Sequence, residues 1–218
     1  MNARYRRIED LPETIPVFPL TGVLLLPRGQ LPLNVFEPRY LAMVDAVMSG
    51  ARVIGVIQPS ESEEKALKPA LSPVGCAGRV TSYREADDGR YLITLSGLCR
   101  FRVVGERELA TPFRQVHADY APFAADLAAA EEEGDFPRER LIAALKTYLA
   151  RRDLKADWQS VVSAPAEQLV NALSMLCPFE PAEKQALLEA QGWGERVAIL
   201  TALLEMAGAM TAGPATIN

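Results

Sequence analysis

Apolar positions recur with a period of two through most of the first 120 residues and with a helical period thereafter. Ile15–Pro27 (IPVFPLTGVLLLP) and the start of Leu31–Tyr40 (LPLNVFEPRY) read as extended, proline-punctuated strands. Leu31, Leu33 and Val35 share one side of a strand and Phe36 falls on the other. Pro38 supplies the φ of a first helical turn, where its missing N–H costs nothing. Tyr40, Leu41, Val44 and Met48 then line one face of a helix that Gly50 ends. Ala51–Pro59 is a β-branched run that predicts a buried strand, and Ser60–Ser72 is polar and predicts an exposed loop. Val74–Tyr83 and Arg90–Gly97 read as two strands joined at Asp87, Asp88 and Gly89, because an Asp-Gly pair supplies the positive φ of a tight turn. Cys99–Glu106, where Phe101 and Val103 alternate with Arg100 and Arg102, and Phe113–Tyr120 are read as two more. Many short strands with one helix predict a compact, curled β-domain.

Asp126–Asp135 (DLAAAEEEGD) is acidic and alanine-rich, and the period changes across it. The boundaries expected are 1–125 for a β-rich lobe, 126–136 for a connector and 137–218 for a helical bundle. Leu141, Ile142, Leu145, Tyr148 and Leu149 form one helix face after Pro137. Leu169, Ala172, Leu173 and Leu176 form another, stopped by Pro178; Pro181 opens a third helix with Leu187 and Leu188, closed by Gly192. Arg196–Met210 supplies a fourth, with Val197, Leu200, Leu203 and Leu204 inward, and the tail after Gly208 is expected to fray. Short loops favour antiparallel neighbours.

Composition changes this picture little but narrows the chemistry. Hydrophobic residues at 49% and charged residues at 23% fit a folded chain rather than a disordered one. The apolar run Val23–Leu26 is far too short to span a bilayer, and no secretory segment follows Met1. Cys76, Cys99 and Cys177 are odd in number and widely spaced, which points to buried, reduced thiols in a cytoplasm. Residues 1–125 hold 15 Lys/Arg and 14 Asp/Glu, and residues 126–218 hold 8 and 14, giving the net −5. Nucleic-acid binding leaves a basic excess, so a general nucleic-acid binder is disfavoured. His117 is the sole histidine, which excludes multi-histidine metal motifs. No Gly-Lys dipeptide exists, so no Walker-type phosphate loop is present in the sequence. Ser62 and Lys65 form an S-x-x-K, but Glu61, Glu63 and Glu64 make the segment a solvated loop, where a lysine stays protonated. Glu131–Glu133 is read as a solvated linker rather than a cation site.

Three segments carry a family resemblance: LPLNVFEPRY; Gly78–Val103, a hairpin followed by the Gly-x-x-Arg-Phe of Gly97, Arg100 and Phe101; and Asn171–Leu200, with the run PFEPAEKQALLE at Pro178–Glu189. In this order, and over roughly residues 14 to 207, the chain resembles the Lon protease N-terminal, substrate-binding domain family, as a stand-alone bacterial member lacking the ATPase and protease domains. The resemblance implies an α+β fold, with a PUA-like curled sheet or pseudo-barrel carrying one helix and then a helical bundle. It also implies a non-catalytic module that captures unfolded or tagged polypeptides in protein quality control, as an adaptor or holdase, with a separate ATP-dependent protease as a candidate partner. No cofactor, metal or membrane is called for.

The candidate contact residues are Phe36, Glu37, Arg39 and Tyr40, with Arg100 and Phe101. Phe36, Tyr40 and the adjoining strand edge offer a groove for an extended peptide. The same side chains also suit sealing a strand–helix corner, and both readings stand at this point. A PUA-like lobe that binds nucleic acid or a small ligand is the alternative function.

Overall fold

The computed structural model describes residues 5–60, 69–128 and 136–209. The chain divides into two compact units, Met1–Ala129 with Met175–Glu189, and Ala130–Ser174 with Ala190–Asn218.

The first unit is built on a six-stranded mixed sheet: β1 Thr14–Pro19, β2 Gln30–Val35, β3 Val53–Ile57, β4 Val74–Glu85, β5 Tyr91–Arg107 and β6 Gln115–Asp119. Its order is β2-β5-β4-β3-β1-β6. β1 and β3 are parallel and the other pairs antiparallel. The first part of β5 lies between β2 and β4, while its end, from Arg102 to Arg107, pairs with β6, so the sheet curls back on itself. Together with the helices this is the α+β architecture the sequence implied. Every residue of β3 is buried, as its β-branched run predicts. Ile15, Val17, Val53, Ile57 and Val116 pack around the fully buried Phe101. A Cβ on Gly75 or Gly55 would lie 2.6 or 2.9 Å from the Phe101 ring, so two glycines make room for one aromatic side chain. Gly89 takes φ +80 in the β4–β5 turn, as its Asp-Gly setting predicts.

Two strand readings need correction. Cys99–Glu106 is not a separate strand; it continues Tyr91–Gly97 as the 17-residue β5. Gly97 marks a close approach rather than a break, since a Cβ there would collide with the Leu26 carbonyl. Of Ile15–Pro27 only the first part is strand; Leu24, Leu25 and Leu26 are buried without ladder pairing. The Ser60–Ser72 loop is fastened at its base, where the Ser60 N–H donates to Ala70 and the Ser72 N–H to Gln58. Ser62, Lys65 and Glu131–Glu133 lie outside the described residues.

Helix α1 (Pro38–Met48) buries Tyr40, Met43, Val44 and Val47. Among the described residues five more α-helices follow: α2 Arg138–Arg151, α3 Trp158–Ser163, α4 Ala166–Leu176, α5 Pro181–Glu189 and α6 Trp193–Ala209. α2 and α6 run in the same direction, with Phe136 beside Trp193 at their starts and a Cβ on Gly208 falling 3.2 Å from Thr147 near their ends. Three helices intervene between them, so the short-loop argument for antiparallel neighbours does not reach this pair. α3 has no counterpart in the sequence reading; Asp157 caps it by accepting from the Gln159 and Ser160 N–H groups. α4 buries Leu169, Val170, Asn171 and Ser174, whereas Ala172 and Leu176, expected inward, are exposed.

The boundaries at 125 and 137 also differ from the compact units. α5 belongs with the sheet: Gln185 Nε2 donates to the Val74 carbonyl (3.1 Å), and Gln58 Nε2 donates to that of Pro181 (3.0 Å). Asp126 likewise falls in the first unit. Among the described residues, no helix is long and apolar enough to cross a membrane.

Candidate functional site

Among the described residues, β2 is the terminal strand of the sheet and pairs only with β5. Gly97 N–H donates to the Gly29 carbonyl at 2.9 Å, and the register from Gln30↔Ser96 to Val35↔Tyr91 then runs without a shift. Antiparallel alternation therefore directs the backbone groups of Leu31, Leu33 and Val35 to β5, and those of Gln30, Pro32 and Asn34 to the open edge. Pro32 has no N–H to lose, which suits an edge position. The open edge thus presents two donors and three acceptors.

The chain leaves this edge at Phe36 and enters α1 through Glu37, whose φ −69 and ψ 132 are extended, before Pro38 starts the helix. Glu37 occupies the N-cap position without a side-chain cap bond. Its carboxylate takes Arg39 instead, accepting from Nε at 2.9 Å and Nη2 at 2.8 Å. The Arg39 guanidinium lies 4.5 Å from the centre of the Tyr40 ring, and that ring packs on Phe18 at 4.2 Å. Burial raises the Tyr40 phenol above its usual range; Arg39 opposes this, Glu37 adds to it and Arg114 opposes it. Arg114 is itself held by Glu106, through Nε at 2.6 Å and Nη2 at 2.9 Å. Tyr40 is therefore an inner wall, and Phe36, 63% exposed, is the apolar group the corner offers outward.

Four of the six sequence-derived residues, Phe36, Glu37, Arg39 and Tyr40, are thus gathered at one corner. Arg100 and Phe101 are elsewhere and inside, at 5% and 0% exposure. Arg100 Nε and Nη2 meet the two Asp126 oxygens at 2.8 and 2.9 Å, Nη1 donates to the Leu188 carbonyl at 3.0 Å, and Phe123 lies under the guanidinium. These contacts tie β5, the short 3-10 segment Ala121–Leu127 and α5 together. Both side chains of the pair are buried, so neither is presented at the Phe36 corner. Asp126 is the residue the sequence reading missed, because its acidic neighbours made it resemble a connector.

The other candidate chemistry is quiet. All three cysteines are buried thiols, none of them in a disulfide. The Cys99 thiol donates to the Phe123 carbonyl, and burial, with Asp126 adding and Arg100 opposing, pushes it up to about 12, so it holds its proton. His117 is exposed on β6, and no cluster of three or more potential metal ligands occurs among the described residues.

A family model described as the ATP-dependent protease La (LON) substrate-binding domain matches residues 14–206. The chain is similar to a Lon protease of Desulfosudis oleivorans, 33% identical over 96 residues, which is 43% of this chain and 12% of that protein. It is also similar to Lon protease 2 of Myxococcus xanthus, 30% identical over 112 residues, 51% of this chain and 13% of the other. The alignments thus cover about an eighth of these relatives' length. In fold it matches the crystal structure of a Lon N-terminal domain protein from Xanthomonas campestris, with TM-score 0.57, 21% identity, and 88% and 96% of the two chains covered. The N-terminal domain of the Mycobacterium avium complex Lon protease matches with TM-score 0.59 and 16% identity over 88% and 97%.

Proposed function

Because the chain belongs to the Lon substrate-binding domain family, we propose that it is a non-catalytic polypeptide-binding module. The observation that carries this reading is the family match across residues 14–206. The corner at the end of β2 is where we place the contact. Phe36 inserts into the cargo, the open β2 edge supplies main-chain hydrogen bonds, and the Glu37–Arg39 pair and Tyr40 hold the corner rigid. Main-chain pairing gives affinity with little demand on sequence, which suits unfolded chains. Arg100 and Phe101 support the sheet from within. In a cytoplasm with reduced thiols, such a module acts as an adaptor that hands chains to a separate ATP-dependent protease, or as a holdase.

Fluorescence titration with a chemically unfolded protein tests this. Binding in the micromolar range is expected, weakened about tenfold by Phe36→Ala, since a desolvated aromatic anchor is worth more than about 1 kcal/mol. No binding at high micromolar concentration sinks the reading. Affinity capture that recovers a protease complex favours the adaptor, and recovery of misfolded clients alone favours the holdase.

A further inference from the structure

We infer that Pro32 is the specificity-determining residue of the β2 edge: it admits a flexible, unfolded chain and rejects a folded sheet edge, a second copy of this one above all. The inference rests on the polypeptide-binding reading and names the residue that separates cargo from self. β2 reads QLPLNV and carries no charged side chain. The strand at the far end of the sheet order, β6, is paired on both sides, with β1 and with β5, so among the described residues β2 is the one open edge. An uncharged open edge is a template for its own copies, and charged side chains are a common means of blunting it. In β2 that means is missing, and Pro32 stands at the centre of the three residues that face outward, Gln30, Pro32 and Asn34, all of them exposed.

The central position matters because two copies meeting about a two-fold axis must set open-edge residues against open-edge residues. The fullest antiparallel register puts Gln30 against Asn34 at both ends and Pro32 against Pro32 in the middle. Sliding by two residues puts Pro32 against Gln30 or against Asn34. In each case a ring carbon of Pro32 occupies the place of an N–H, so a carbonyl of the other copy loses its donor and meets the ring. The registers that avoid Pro32 use Gln30 alone or Asn34 alone, and a single pair of residues is all they join.

An unfolded chain meets the same ring under a different constraint. It pairs with Asn34, two residues from the Phe36 anchor, and turns away at Pro32 with the loss of one pair, because nothing holds its other edge. A folded β2 cannot turn away. β5 holds it from Gln30 to Val35 in an unbroken register, and Val35 is buried, so a bend at Pro32 breaks that ladder. Rigidity of the partner, not its sequence, is what the proline reads.

Sedimentation velocity on the full chain from about 5 to about 500 μM is the first arm of the test. The parent is expected to stay monomeric. Pro32→Val, at an exposed position where valine favours a strand, is expected to dimerise within that range, its mass approaching twice that of the parent. Assembly is expected to stop at the dimer, because a two-fold contact consumes the one open edge. Adding Asn34→Pro to Pro32→Val removes an N–H from the same edge and is expected to restore the monomer. Circular dichroism and a thermal melt matching the parent certify each variant as folded, with Pro32→Thr as the replacement should the valine variant fail. The second arm titrates a labelled, chemically unfolded protein with each chain at concentrations where both are monomeric. Pro32→Val is expected to bind it as tightly as the parent or up to about tenfold tighter, since the whole edge is then open to cargo as well. A folded Pro32→Val that stays monomeric, a dimer that survives Asn34→Pro, a parent that dimerises through this edge, or weaker binding of unfolded protein by Pro32→Val overturns the inference. If neither chain binds unfolded protein while the variant dimerises, the polypeptide-binding reading fails and the block to self-pairing stands.

Discussion

Arg100 and Asp126 form the most consequential pair of residues in the first unit. Both side chains are under 10% exposed, and the guanidinium spends three nitrogens on Asp126 and the Leu188 carbonyl. Removing one partner from such a pair leaves an uncompensated buried charge, which costs about 3–5 kcal/mol. Asp126→Asn is therefore expected to lower the urea-unfolding free energy by about 3 kcal/mol, whereas Arg100→Met with Asp126→Leu recovers most of that loss. An Asp126→Asn protein as stable as the parent contradicts this assignment. Cys99 gives a second test. Its folded-state value is raised from 9.0 to about 12, chiefly by burial, so between those limits the unfolded chain gives up a proton that the folded chain keeps. The stabilisation is complete below pH 9 and is lost as the pH rises toward 12. Thermal melts from pH 8 upward are expected to fall less steeply in Cys99→Ala than in the parent; parallel curves refute the burial effect.

At the scale of elements, the strands show how close backbone contacts limit sequence. A Cβ on Gly97 would meet the Leu26 carbonyl group and come 3.2 Å from Pro27 Cα, all main-chain atoms that cannot swing aside. Gly105, further along β5, has open space around it. Gly97→Ala is expected to cost about 2 kcal/mol or more and Gly105→Ala under about 0.5, read from denaturation midpoints. Equal effects would show that the close approach of Leu26 does not constrain position 97. That reading recovered β2, α1 and the Asp-Gly turn because their signals are local: alternation of Leu31, Leu33 and Val35, a proline at N1, a glycine at positive φ. It failed where burial depends on distant partners. α4 turns Asn171 and Ser174 inward and Leu176 outward, against its hydrophobic pattern. Arg100 looks like a solvent-facing residue in an alternating strand until Asp126, 26 positions away, is known. The Phe36 corner was legible as a location, but the free edge of β2 follows only from the sheet order.

At the scale of the whole molecule, the chain that builds the β-rich unit is discontinuous. A helical period describes α5 correctly, yet it carries no information about which surface the helix joins. The Gln185 bond to Val74 and the Leu188 carbonyl under Arg100 place it with the sheet. Cutting the chain at residue 125, where composition shifts, removes Asp126 and α5 together. Arg100 then has neither the Asp126 carboxylate nor the Leu188 carbonyl, and a buried guanidinium that loses both draws water into the core beside Phe101. The 1–125 fragment is accordingly expected to retain strand signal in the far-ultraviolet circular dichroism but to lose the near-ultraviolet signal and the cooperative melt of the parent. Restoring residues 126–128 returns the ion pair without the α5 contacts, so that fragment is expected to melt cooperatively only if the carboxylate is the dominant partner. A 1–125 fragment that melts as sharply as the full chain shows that the β-rich lobe folds as the composition boundary implies and that α5 is an accessory to it.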